Sequence, residues 1–393
     1  AVIEPRTGIA RLNADGGVVS AVNPNTTGAG HYRAVQPDGK ILIAGTFDTI
    51  GGVSRFGIAR LNANGTLDTT FKATLNSGAM SLALQSDGKI VIGTNFNTFG
   101  SGEQNCLVRV NSNGSLDTSF NPRVDYEVGS IAVQPDGKII VGGTFSNVGG
   151  EPRPYLARLN ANGTLDAAFN ADVEYEVNAI VVQPDGKILI GGGFTDVAGT
   201  PRNHMARLNA TGSLDTDFDP DANETVTNIA LQTDGRMVIG GQFTSVAGQS
   251  RGYLARLEAN GDLDPDFDPG LETTAIHYIY ALAAQADGKV VVAGYDHFEC
   301  LLNNPATQTL TVSAPNRVRW MRGESSPEAT AVTFELSINN GSTWTPLGAG
   351  TRIAGGWELN GLKLPASGKV RARARTTDGS RSSGIVEAVK VFY

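Results

Sequence analysis

The chain has 393 residues, 49 of them glycine, with 18% charged and 7% aromatic side chains and a formal net charge of −8. That acidic balance argues against a general nucleic-acid binder, which needs a basic field, and no apolar run is long enough for a membrane-spanning helix. The length allows two or three domains with proper cores, and this much glycine suits tight turns between short strands.

The opening "AVIEPRTG" has no leader-like stretch and reads as a mature terminus or a fragment boundary. The first segment, "EPRTGIARLNADGGVVSAV", reads as a single hairpin. From Gly30 onward one unit repeats. "AVQPDGKILIAGTF" (34–47) returns as "LALQSDGKIVIGTNF" (82–96), "VQPDGKIIVGGTF" (133–145), "VVQPDGKILIGGGF" (181–194), "LQTDGRMVIGGQF" (231–243) and, more weakly, "AQADGKVVVAGY" (284–295). The turn Asp falls at 38, 87, 136, 185, 234 and 287, at intervals of 49 and finally 53. The Arg of "ARLN" falls at 11, 60, 109, 158, 207 and 256, always 49 apart. Two markers keeping one period define one repeated supersecondary unit.

Within a unit such as 127–172, "EVGSIAVQ" and "KIIVGGTF" are short, apolar and rich in Ile and Val, so they predict strands. In "QPDGK", Pro presets the first turn position and Gly takes the left-handed one; "NANGT" repeats that chemistry without the proline. Two hairpins per unit predict four antiparallel strands, a β-propeller blade. Five whole units plus two complementary halves predict an all-β, six-bladed propeller over 1–303, its last blade closed by N- and C-terminal hairpins so that no sheet edge is bare; an unclosed array of blades, or a seven-bladed ring borrowing strands from the C-terminal region, is the alternative.

The wording "VQPDGKI(I/L)(I/V)GG.F..V.G..R..LARLN..G.LD..F" resembles the bacterial delta-60 repeat family of β-propeller repeats. The resemblance covers residues 1 to about 300. It implies a part of a large secreted or surface protein, and no catalytic activity follows from it.

From residue 304 the period stops, and all three tryptophans, Trp320, Trp344 and Trp357, follow. Alternation in "VRARAR" sends Val370, Ala372 and Ala374 to one face and Arg371, Arg373 and Arg375 to the other. The string "WELNGLKLPASGKVRARARTTDG" is similar to a strand passage of fibronectin type III domains, which implies a C-terminal β-sandwich over 304–393.

The turns are nearly identical in every unit and suit structure; the segments linking units vary. They offer Asp125, Tyr126, Glu127, Asp172, Glu174, Tyr175, Glu176, Asp221, Glu224, Glu272 and Tyr278 as a rim for a carbohydrate, a basic or surface protein, or a divalent cation. In the sixth unit, register places His277 opposite His297 with Asp296 adjacent, a candidate transition-metal pair. Asp68, Asp117, Asp166, Asp215 and Asp264 of "LD..F" read as local caps, and Arg55, Arg153, Arg202 and Arg251 as stacking or hydrogen-bonding residues. Cys106 and Cys300 fall in separate elements, so no bridge between them is expected. The expectation is therefore a monomeric, non-enzymatic, extracellular or cell-surface binding module with no cofactor beyond a cation. A spacer without ligand and a polysaccharide-cleaving enzyme are its rivals.

Overall fold

The structure is a computed structural model that describes residues 9, 24–73, 75–95, 105–271, 278–294, 298–313, 316–377 and 383–393. No α-helix occurs among the described residues. The chain divides into two units, residues 1–219 with 379–383 and residues 220–378 with 384–393.

The first unit contains four copies of one three-stranded antiparallel sheet. In the third copy Val128–Val133 pairs with Ile139–Gly143, which pairs in turn with Leu156–Leu159. Gln134 and Lys138 close the "QPDGK" turn, with the Gln134 N–H donating to the Lys138 carbonyl at 2.8 Å. Gly137 there has φ of 85°, a conformation that a side chain would strain. The strands hold because the pleat buries Ile139, Val141, Ala157 and Leu159 against Val91, Leu107 and Phe120 of the preceding copy. Each repeat thus completes its core with its neighbour's side chains, as stacked repeats do.

Two details differ from the sequence expectation. The four-stranded repeat is realised as three strands, with the fourth reduced to a single bridge, Leu159↔Leu165 in the third copy. One residue beyond that bridge, Asp166 turns the chain: its N–H donates to the Arg158 carbonyl at 2.8 Å and its carbonyl accepts from Phe169 at 3.1 Å. In addition, the loop between hairpins folds into a small hairpin of its own, Asn147–Val148 with Glu151–Pro152, around Gly149 and Gly150.

The second unit repeats the sheet twice, as Val226–Leu231, Met237–Gly241 and Leu254–Leu257, then as Ala281–Ala284, Val290–Ala293 and Phe298–Leu301. The last strand corrects the closure expected from the sequence. Phe298–Leu301 pairs with Val290–Ala293, so this sheet takes its third strand from the chain that follows at once, as short connections favour. The N-terminal hairpin expected in that role lies outside the described residues, Ile9 apart.

Beyond residue 304, Ala306–Ser313, Arg317–Glu324, Gly356–Leu359 and Thr351–Ile353 form a four-stranded sheet in that order. Thr345–Ala349, Ala329–Ser337, Gly368–Thr377 and Ser383–Phe392 lie side by side in a second set. Both sets feed one core that includes Val318, Trp320, Val332, Phe334, Val370, Ala372 and Ala374. The arginine row lies on the other face, Arg371 paired to Glu335 at 2.7 Å and Arg373 to Glu387 at 3.1 Å. This segment is joined to the fifth repeat: the Thr233 N–H donates to the Ser326 carbonyl at 2.9 Å and the Glu328 N–H to the Leu231 carbonyl at 2.8 Å.

Candidate functional site

Each repeat has two ends. At one, the "QPDGK" and "NANG" turns meet, a Cβ on Gly137 falling 3.5 Å from that of Ala161. Beneath them lies a buried ion cluster. The Asp166 Oδ2 accepts from Lys138 Nζ at 2.9 Å and from Arg158 Nε at 2.8 Å. The Arg158 guanidinium stacks 4.5 Å over Phe169 and donates through Nη1 to the carbonyl of Ala210 in the next repeat at 2.6 Å. Arg60 and Arg109 make the same reach, to Ser112 and Ala161. In the second unit Arg256 pairs with Asp264 at 2.8 Å and donates to Asn303. The aspartates are local caps as well: Asp68 Oδ1 accepts the Thr70 N–H at 3.0 Å. The Lys138 and Arg158 bonds hold Asp166 below the usual carboxylate range. These recurrent ions are committed to structure.

The other end carries the linking segments. Each incoming link is zipped to the small hairpin by one bridge, Val124↔Val148 and Val173↔Val197 in the first unit and Ala222↔Val246 in the second. Arg123, Asp172 and Asp221 turn the chain there at φ of 52°, 48° and 51°. Asp125 clasps the hairpin, its Oδ1 accepting N–H groups of Ser146 and Asn147 at 2.9 and 3.0 Å and its Oδ2 accepting Asn147 Nδ2 at 2.7 Å. Burial alone would raise its pKa, but the donors from Asn147 and Ser146 outweigh that and lower it. Thr27 and Glu174 do similar work one or more periods away, Glu174 accepting the Thr195 hydroxyl at 2.9 Å. In the second unit Asn223 holds the N–H groups of Thr244 and Ser245 at 2.8 and 2.9 Å.

The next position points outward. Tyr126 and Tyr175, one period apart, are 58% and 54% exposed on adjacent repeats. The Tyr175 ring lies 5.8 Å from that of Tyr155, tilted by 40°. Glu127 and Glu176 follow, half-buried, their carbonyls accepting Thr144 and Gly193 N–H groups at 3.1 Å each. The Glu176 carboxylate accepts Asn178 Nδ2 at 3.1 Å. Asp172 is exposed and gives its carbonyl to the Ala198 N–H at 2.8 Å. The structure thus brings Asp125, Tyr126 and Glu127 to one repeat end, and Asp172, Glu174, Tyr175 and Glu176 to the next. In the second unit Glu224 is exposed, its Oε2 accepting the Thr225 N–H at 3.0 Å. Tyr278 packs edge-on against Tyr280 at 4.2 Å. Glu272, His277, Asp296 and His297 lie outside the described residues. Among the described residues no group of three His, Cys, Asp or Glu is placed to hold a metal ion.

Tyr155, His204 and Tyr253, not among the residues expected from the sequence, hold φ of 64°, 61° and 66° beside this end. Each sits in a backbone clamp: the Tyr155 N–H donates to the Phe145 carbonyl at 2.9 Å and its carbonyl accepts from Gly143 at 3.0 Å. The signal was in the register, because Gly57 occupies the same column and marks a left-handed position.

The repeated short sheets, each with a turn end and a linking end, are propeller-like repeats. Five segments, 36–71, 85–120, 134–169, 183–218 and 232–267, match the family described as "Domain of unknown function (DUF5122) beta-propeller". These matches support a β-propeller repeat family for the repeats between residues 36 and 267. No curated protein matches the chain. Among solved structures it is similar to a streptogramin B lyase, at 14% identity and a TM-score of 0.46, covering 92% of this chain and 93% of that one. It is also similar to a protein of unknown function from Bacteroides caccae, at 15% identity and 0.39, covering 65% and 87%. A GH74 xyloglucanase from Xanthomonas campestris is similar at 15% identity and 0.40, covering 90% and 60%.

Proposed function

We propose that this chain is a non-enzymatic, extracellular carbohydrate-binding module: a six-bladed propeller that presents its linking rim to a glycan, followed by a fibronectin type III-like sandwich. The observation that carries the reading is the pair Tyr126 and Tyr175, two large rings left more than half exposed on adjacent repeats. An exposed aromatic face with a polar tip stacks on a sugar ring at little entropic cost. The neighbouring Glu127, Glu174 and Glu176 supply hydrogen-bond acceptors for hydroxyls. Asp125 fits a supporting part, since its carboxylate is spent on the hairpin beneath. The extracellular placement rests on the resemblance of the repeats to delta-60 repeats.

The test is calorimetric titration with neutral and acidic oligosaccharides, with a reducing-end assay run on the same mixtures. Saturable binding with no new reducing ends is expected. New reducing ends that disappear in Glu174→Gln or Glu224→Gln would replace the module with a glycan-cleaving enzyme. A rigid spacer is the second reading, favoured by the arginine clamps that tie repeat to repeat; it predicts no binding to any glycan.

A further inference from the structure

The second unit carries a site that the rim does not use. Thr233, Arg322, Glu328, Arg352, Gly355, Gly356 and Trp357 line a cleft of about 280 Å³, open mouth included, where the fifth repeat's turn meets the C-terminal sheets. Arg322 is 5% exposed. Its Nη2 donates to the Pro327 carbonyl at 2.8 Å, whereas its Nε and Nη1 have no acceptor. The guanidinium lies 5.0 Å over the Trp320 ring, whose own Nε1 also has no acceptor. A buried charge with unmet donors is costly unless something charged or polar completes it.

The neighbouring charges do not complete it. Glu328 is taken by Arg352, with Oε1 and Oε2 accepting from Nη1 and Nη2 at 2.7 and 3.1 Å. Two arginines and one glutamate leave the cleft one positive charge in excess. A single negative charge balances that excess; a dianion would set surplus charge beside Glu328. Gly356 lets its strand pack close on the cleft floor, since a Cβ there would stand 2.3 Å from the Trp320 carbonyl oxygen. Trp357, with Arg352 stacked 5.5 Å over it, supplies an apolar wall for the body of a ligand.

We propose that this cleft binds the carboxylate of a small organic acid, with Arg322 as the anchoring donor. Burial draws the Arg322 pKa down to about 10, which leaves it charged at neutral pH. The ligand's carboxylate takes up the Nη1 hydrogens, and its carbon skeleton lies toward Trp357.

Tryptophan fluorescence of the whole chain is the readout, because Trp357 lines this cleft and the Trp320 ring lies under Arg322. Titrations with acetate, glucuronate, glucose and inorganic phosphate are run against the wild type, Arg322→Met and Arg322→Lys. Saturable responses to acetate and glucuronate, absent with glucose, weaker with phosphate and at least tenfold weaker in Arg322→Met, are expected. Arg322→Lys, which keeps the charge and loses the guanidinium donors, is expected to fall between the two and covers the case in which Arg322→Met fails to fold. No response in the wild type, a response that survives both variants, or phosphate binding as tightly as acetate would each overturn the proposal.

Discussion

Arg158 ties its own repeat to the next: its Nε holds Asp166 at 2.8 Å while its Nη1 donates to the carbonyl of Ala210, 52 residues on, at 2.6 Å. The bond is buried, stacked on Phe169 and repeated at Arg60 and Arg109. Repeat proteins gain cooperativity from such interfaces, not from any single repeat. Arg158→Met strips Asp166 of one of two cationic partners and leaves the Ala210 carbonyl unmet. The expected loss is about 3 kcal/mol, the scale for breaking a buried pair from one side. Urea unfolding checks it, and a broadened, two-step transition is expected where the wild type shows one.

The clamp aspartates make stability fall in acid. For Asp215, burial alone would raise the pKa, but Lys187 and Arg207 outweigh it and hold the group at about 2. A depressed carboxylate stabilises the fold fully above its unfolded value, about 4. That contribution is lost as pH falls through the folded value. Ellipticity followed from pH 5 downward should hold until about pH 4 and drop steeply toward pH 2. Asp215→Asn should lower stability at pH 7 and flatten that acid limb.

Two glycines separate close approach from conformational freedom. A Cβ on Gly143 would stand 2.0 Å from the Glu127 carbonyl oxygen. Gly143→Ala must push the link off the strand and is expected to cost more than about 4 kcal/mol, a size reserved for such clashes. Gly150 has open space around it but a φ of 88°. Gly150→Ala should cost about 1 kcal/mol, the strain of a side chain in the left-handed region. Thermal melts of the two variants distinguish the cases.

The rim tyrosines should separate stability from binding. Tyr126 makes few packing contacts to lose, so Tyr126→Ala is expected to change stability by less than about 0.5 kcal/mol. Asp125→Ala, one residue earlier, frees three donors of the small hairpin. It should cost about 1–2 kcal/mol, as loss of a capping carboxylate does. Paired denaturation curves for the two variants check the assignment.

The repeat was legible because two markers, the turn Asp and the "ARLN" Arg, keep one spacing, and because Ile and Val fill strands too short for helices. The three-stranded outcome was not, since nothing local in "TLDAAF" says that Asp166 will abandon the ladder to reach Lys138 and Arg158; that is a tertiary demand. The small hairpin at Asn147–Pro152 was hidden by its two-residue strands, although Gly149–Gly150 is a hairpin turn signal. The rim was legible at Tyr126 and Tyr175 through variation between repeats. The same variation could not tell the exposed Tyr126 from the hydrogen-bonded Asp125 beside it, because that difference lies in which backbone donors the fold brings near.

The most direct measurement is the dissociation constant of a glycan ligand for the wild type, Tyr126→Ala, Tyr175→Ala and the double variant, all shown to be folded. A rim that stacks sugar on both rings predicts a weakening of about tenfold in each single variant and a larger loss in the double. Unchanged affinity in all three would place the ligand elsewhere and contradict the account.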